Sequence, residues 1–128
     1  MDHKAHQTPH PEEGAVRQPL EMYMRGHAED NAEHMRAAFL PTARLESVRE
    51  GPLTSWDLDF YCLRFTNTPA PDESTRRRSI EWLDITGTSA MAKVTLVHGN
   101  VTFTDYFVLL KTEQGWKIAN KAFHAQPQ

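Results

Sequence analysis

The sequence predicts an α+β fold of the cone-shaped kind, with N-terminal helices packed on a curved, mostly antiparallel sheet. Two observations carry this reading. In the first half of the chain apolar residues recur at spacings of three and four, whereas from Arg76 onward the period falls to two. In that second half, four β-rich segments at 78–85, 90–98, 101–111 and 116–124 are separated only by Gly87, by Gly99-Asn100 and by Glu113-Gln114-Gly115, which is the punctuation of a meander. A chain of 128 residues suits one core of this size, expected over 12–126 and preceded by a flexible polar tail at 1–11.

The tail carries His3, His6 and His10 beside Pro9 and Pro11 and lacks the apolar residues to build a core. Its histidine spacing fits no structural zinc pattern and the lone cysteine, Cys62, lies far away, so no metal site is expected. The first helix is expected after Pro11, where Glu12 and Glu13 place negative charge at the positive end of the helix dipole. Val16, Leu20, Tyr23, Met24 and His27 then trace one side. Pro19 requires that this helix start late or kink there. Residues 26–31 read as a connection, with Asp30 and Glu33 at capping-box spacing for a second helix bearing Ala32, Met35 and Phe39, stopped by Pro41. A short strand over 43–48 turns at Glu50-Gly51-Pro52 into a strand pair. Ser55 is the expected N-cap of a third helix carrying Trp56, Phe60 and Leu63, and residues 66–74, with Pro69 and Pro71, read as loop.

Composition removes several function classes. A formal charge of −3 gives no electrostatic reason for a nucleic-acid or anionic-membrane partner, and Arg76-Arg77-Arg78 reads as a solvated strand edge. One cysteine excludes an intrachain disulfide, and no long apolar run marks a membrane span or signal segment, which leaves the cytoplasm as the expected compartment. Gly-rich phosphate loops, nucleophile elbows and zinc-hydrolase motifs are lacking, so no cofactor is expected. The segment 101–111 is apolar in both phases, Phe103, Phe107 and Leu109 against Tyr106, Val108 and Leu110, so both sheet faces should be covered. Helices account for one face, and a homodimer formed through the sheet is expected to account for the other.

Several stretches together resemble a known family: Asp30-Asn31-Ala32-Glu33 to Phe39, Pro41-Thr42-Ala43, Asp84-Ile85-Thr86-Gly87, Ala92-Lys93-Val94, Phe103-Thr104-Asp105-Tyr106, and Gly115-Trp116-Lys117-Ile118-Ala119-Asn120-Lys121 to His124. Over roughly residues 12 to 124 the chain is similar to the nuclear transport factor 2-like superfamily, within its SnoaL-like and "putative lumazine-binding" group. The resemblance implies a cone enclosing a mostly apolar pocket, usually in a homodimer. It does not imply one activity, since the superfamily includes isomerases, dehydratases, cyclases and non-catalytic binding domains.

The site expected from the residues rests on the last hairpin. With Gly115 in a bulged position, Thr112 opposes Trp116, and Leu110, Val108, Tyr106 and Thr104 share a side with Ile118, Asn120, Ala122 and His124. If Leu110 and Ile118 face the helices, then Tyr106, Asn120 and His124 enter the pocket, joined by Tyr23, His34 and Trp56 from the helices. A slip of one residue brings in Phe103, Asp105 and Phe107 instead. His124 is the expected proton carrier, because an imidazole titrates near neutral pH, and a desolvated Asp105 is the other candidate. Two functions remain: a small-molecule binding protein for an aromatic or polycyclic ligand, or a cofactor-independent isomerase, dehydratase or cyclase using a pocket His or Asp.

Overall fold

The change of period near Arg76 is where the four-strand meander begins, although a ten-residue strand and its short partner already precede it. The computed structural model describes residues 9–127, so most of the expected tail, with His3 and His6, lies outside the described residues. The elements are α1 (Glu13–Glu29), α2 (Ala32–Ala38), β1 (Phe39–Val48), β2 (Leu53–Asp57), α3 (Leu58–Cys62), a 3-10 turn (Glu73–Thr75), β3 (Arg77–Thr86), β4 (Ser89–His98), β5 (Val101–Thr112) and β6 (Gly115–Pro127). Six strands form one curved, open sheet in the order β2-β1-β6-β5-β4-β3, in which β1 and β6 are parallel and every other pair is antiparallel.

Helices cover one face. Val16, Leu20 and Tyr23 of α1 and Met35 of α2 pack with Phe39, Leu45, Val94, Leu96, Phe107, Leu109 and Ile118 from the sheet, all fully or almost fully buried. The spacing that predicted α1 is thus the spacing of its core side. Trp116 Nε1 donates to Glu12 Oε1 at 2.8 Å and Lys111 Nζ pairs with the same carboxylate at 3.0 Å, which ties the last hairpin to the start of α1.

Several boundaries differ from expectation for local reasons. The first helix starts early and runs on through Pro19, which is buried, so the ring removes the hydrogen bond to the Ala15 carbonyl inside the helix. The helix also continues past Gly26, and the break is confined to Asp30, left-handed at φ 54°, with Asn31 N donating to Gly26 O at 2.9 Å. A Cβ at Gly26 would stand 2.9 Å from Met35 Sδ, so a larger residue there would require the Met35 side chain to shift. The cap of α2 is consequently Asn31, whose Oδ1 accepts from His34 N, and not Asp30. Asp30 instead accepts from the backbone N–H groups of Thr66 and Thr68 and anchors the 66–74 loop.

Phe39 already belongs to β1, and Pro41 is carried where the β1–β6 register is irregular, between Phe39 and Arg44, so no ladder donor is lost. Trp56 is in strand β2 and not on a helix; Asp57, not Ser55, caps α3 by accepting from Phe60 N at 2.8 Å. The four-strand meander is as expected, with each strand slightly longer than its apolar core.

Within the last hairpin Val108 opposes Asn120, Tyr106 opposes Ala122 and Thr104 opposes His124, as the expected register requires. Leu109, however, opposes Ile118, which leaves Ala119 as an extra residue on β6. That bulge separates Ile118 from Asn120: Ile118 faces the helices, whereas Tyr106, Val108, Leu110, Asn120 and His124 face outward.

Ile118 is 0% exposed at the centre of this core. Ile118→Ala is therefore expected to lower the unfolding free energy by about 2–5 kcal/mol in urea titration, and a loss under about 1 kcal/mol would remove Ile118 from the set of packing residues.

Candidate functional site

Beyond the bulge, β6 presents Lys121 and Phe123 to the helix side, opposite Phe107 and Asp105 of β5. Lys121, Phe123 and Asp105 reach an open-ended cavity of about 310 Å³ between the sheet, α1 and the segment from α3 to Phe65. Its walls are aromatic, with Trp56, Tyr61, Phe65, Phe103 and Phe123, and its charged residues are Arg49, Arg64, Arg76 and Lys121 against Asp30 and Asp105.

The polar groups converge on one tyrosine. Tyr23 is fully buried on α1, and its hydroxyl donates to Asp105 Oδ2 in a short hydrogen bond while accepting from Lys121 Nζ at 2.9 Å. Lys121 Nζ lies 3.4 Å from the Tyr61 hydroxyl and 4.0 Å from Asp105 Oδ2, and stands over the rings of Tyr23, Tyr61 and Phe123 at 4.6–4.9 Å. His27 Nε2 is 3.0 Å from the Tyr23 hydroxyl and 3.2 Å from that of Tyr61. Two charges, two phenols and an imidazole thus satisfy one another where Tyr23 is fully buried and Asp105 and Lys121 almost so.

Burial dominates the acid–base state of this cluster. It raises the Asp105 carboxyl, with Lys121 and the Tyr23 hydrogen bond opposing, and it lowers the Lys121 ammonium, with Asp105 opposing. It raises the Tyr23 phenol well above its ordinary value, with Asp105 the next cause, and raises Tyr61 for the same reasons in the same order. Both phenols therefore keep their protons at neutral pH. At the rim, Arg64 stacks 4.7 Å over Trp56, and Arg78 holds Glu73 through two guanidinium nitrogens. Arg76 Nε and His98 Nε2 are buried with no hydrogen-bond partner, and both residues line the cavity.

Of the residues expected at the site, Tyr23, Trp56 and Asp105 line the cavity. Four others are elsewhere. His34 lies on α2 with Nε2 3.0 Å from Glu29 Oε1, because the α2 cap turns it toward the end of α1. Asn120 faces outward and its Oδ1 accepts from Arg44 N, which secures the bulge. Tyr106 is 49% exposed, and His124 is exposed with Nε2 3.0 Å from Gln126 Oε1. The expected proton carrier is therefore on the far side of the sheet from the cavity. Of the arginine run read as a solvated edge, Arg77 is exposed on edge strand β3, but Arg76 and Arg78 turn inward. Sequence reasoning placed His27 on the apolar side of α1 without giving it a role, although its spacing of four from Tyr23 was a usable signal. Lys121 gave no such signal, since its face depends on the unforeseen bulge.

The two cavity imidazoles make stability depend on pH. Burial first and Lys121 next hold His27 well below 6.5; burial first and Arg76 next bring His98 to about 4. Once unfolded, both take up a proton near 6.5, so between about 4 and 6.5 the unfolded chain binds more protons and stability rises with pH. Asp105 acts in the opposite sense just above 3.8, where the unfolded carboxyl loses its proton before the folded one does. Two histidines outweigh one carboxyl, so the urea midpoint is expected to be lower at pH 5 than at pH 7, with the gap narrowed in His27→Gln or His98→Gln. Equal midpoints at the two pH values would show that the imidazoles take up protons without unfolding.

The geometry can now be set beside known proteins. No relative is found among curated proteins. The profile of the family described as "Putative lumazine-binding" matches residues 11–124. Among solved structures, an NTF2-like protein of unknown function from Shewanella baltica is 28% identical, with 95% of this chain and 100% of that one covered and a TM-score of 0.82. An NTF2-like protein from Methylobacillus flagellatus is 31% identical over 94% of this chain and 96% of that one, with a TM-score of 0.77. A ketosteroid isomerase-like protein from Erwinia carotovora atroseptica shares the fold at 11% identity, covering 94% of this chain and 100% of that one, with a TM-score of 0.67. This chain belongs to the "Putative lumazine-binding" family of the NTF2-like superfamily.

Proposed function

We propose that this protein binds a flat aromatic or polycyclic small molecule bearing an anionic or carbonyl oxygen. The observation that carries the reading is the composition of the cavity: six aromatic side chains, Tyr23 included, together with four cationic side chains and two carboxylates, both already hydrogen-bonded within the protein. Aromatic faces stack on a planar ligand, and an acidic group balances the surplus of positive charge. His98 Nε2, buried without a hydrogen-bond partner, and the Arg76 guanidinium, held only at 3.6 Å by Asp72 and 3.8 Å by Glu73, offer polar contacts for that group. A volume of about 310 Å³ suits a bicyclic ring system, and the family's name points to a compound of that shape, lumazine.

Titration with lumazine, 2-naphthoate and 2-naphthylmethanol, followed by tryptophan fluorescence and calorimetry, tests the reading. Trp56→Ala is expected to weaken all three by about 0.5–1.5 kcal/mol, the usual worth of an aromatic pair. Arg76→Gln should weaken naphthoate alone, by about 1.5–3 kcal/mol as for a hydrogen bond to a charged group. Failure of all three compounds to bind at millimolar concentration would defeat the proposal.

A second reading, cofactor-independent turnover, is favoured by the Asp105–Tyr23 hydrogen bond beside the cavity. A carboxyl raised by burial can carry a proton for an isomerase, dehydratase or cyclase, with Tyr23 and Tyr61 as oxygen-stabilising hydroxyls. Asp105 replaces His124 as the carrier in this scheme.

The partner proposed for the outer sheet face is a second copy of the chain. Met91, Tyr106, Val108 and Leu110 are 42–49% exposed there on adjacent strands β4 and β5, and a contiguous apolar patch of this kind favours self-association through a twofold axis. Light scattering at micromolar concentration is expected to give the dimer mass, and Val108→Lys to give the monomer. A monomer mass for the unaltered chain would refute the dimer.

A further inference from the structure

Lys121 places a primary amine on the wall of a cavity that admits an organic molecule, although its side chain is only 4% exposed. A purely structural role is poorly served by such a group, because a buried ion pair is commonly no more stabilising than well-packed apolar residues of the same volume. The pair is also loose: Nζ and Oδ2 stand 4.0 Å apart, with the Tyr23 hydroxyl bridging them. We propose that Lys121 is a carbonyl-reactive amine, forming an imine with an aldehyde or ketone admitted to the cavity.

The hydrogen bonds supply each step. Nζ donates to the Tyr23 hydroxyl, which donates to Asp105, so Tyr23 can take a proton from the ammonium as it passes its own to the carboxylate. The net charge of the cluster does not change, and a free amine lone pair results. That lone pair attacks the carbonyl carbon, the π electrons move to oxygen, and one nitrogen-bound proton moves to that oxygen to give a carbinolamine. The Asp105 carboxyl then returns its proton through Tyr23 to the hydroxyl, water leaves, and nitrogen closes the double bond as an iminium facing the restored carboxylate. One carbonyl compound and one ammonium give one iminium and one water, with no oxidant or reductant. Burial of Nζ favours the neutral amine that the attack needs, against the pull of Asp105 and of the three ring faces on the ammonium. The arginines of the rim take no part, so this inference does not depend on the anionic ligand proposed above.

The test is reductive trapping on the folded, unaltered protein. Benzaldehyde with sodium cyanoborohydride at neutral pH converts an imine into a stable benzylamine, and peptide mass mapping follows each lysine separately. Lys121 is expected to acquire the benzyl group faster than Lys111 and Lys117, whose amines lie toward solvent, since lowering an amine's proton affinity raises its free-base fraction. The preference should vanish in urea. Labelling of Lys121 no faster than that of Lys117, or none while the surface amines react, overturns the proposal. In folded Asp105→Asn protein the free amine is more abundant but the carbinolamine has lost the proton that expels water, so the Lys121 rate should fall while the Lys111 and Lys117 rates stay; an unchanged or higher Lys121 rate overturns the relay.

Discussion

The single extra residue in β6 is the constraint on which the rest of this structure depends. β6 lies between parallel β1 and antiparallel β5, so its facing decides what enters both the core and the cavity. With strict alternation, Trp116 and Ile118 would carry Asn120, Ala122 and His124 with them to the helix side. Ala119 breaks that alternation, and Lys121, Phe123 and Ala125 take the inner positions instead. Opposite the bulge, β1 is irregular between Phe39 and Arg44, and the Asn120 side chain closes the gap by accepting from Arg44 N. The irregularities meet at one height, so neither strand loses its pairing farther along.

Once Lys121 is turned inward, the remainder of the polar cluster is compelled. An ammonium without a partner in this interior would cost far more than a salt bridge gains, so a carboxylate must face it. Asp105 supplies that carboxylate from β5, in phase with Phe103 and Phe107, and Tyr23 from α1 bridges the two. This is how α1 is positioned on the sheet by a polar contact as well as by Val16 and Leu20. Removing Asp105 or Lys121 alone would strand its partner, which gives a physical reason for the two residues to be retained or lost together.

What was legible in the sequence follows from which signals are local. The helix-to-sheet order, the meander and the apolar side of α1 are written in periodicity, and periodicity survives small boundary errors. Asn31 over Asp30 and Asp57 over Ser55 were misplaced because several capping residues stand close together and tertiary contacts choose among them: Asp30 is drawn to Thr66 and Thr68, which its neighbours in sequence do not reveal. The pocket was legible only in part for another reason. Pairing across β5 and β6 was correct from Val108 inward, yet the face was wrong, because pairing and facing are independent once a bulge intervenes. Of the residues named from the sequence, Tyr23, Trp56 and Asp105 line the cavity, and Lys121, Tyr61 and the arginines line it without having been named for it.

The distribution of charge completes the picture. The chain carries a formal charge of −3, yet its cavity is lined by more cations than carboxylates, so the overall charge is no guide to what this protein recognises. Low-dielectric aromatic walls extend the reach of these few charges, since water that would screen them is partly excluded. Their placement is graded: Arg49 and Arg64 are exposed at the rim, Arg76 is half-buried, and Lys121 is fully enclosed. From the rim inward the cavity thus runs from exposed guanidinium groups to the buried Tyr23–Lys121–Asp105 cluster.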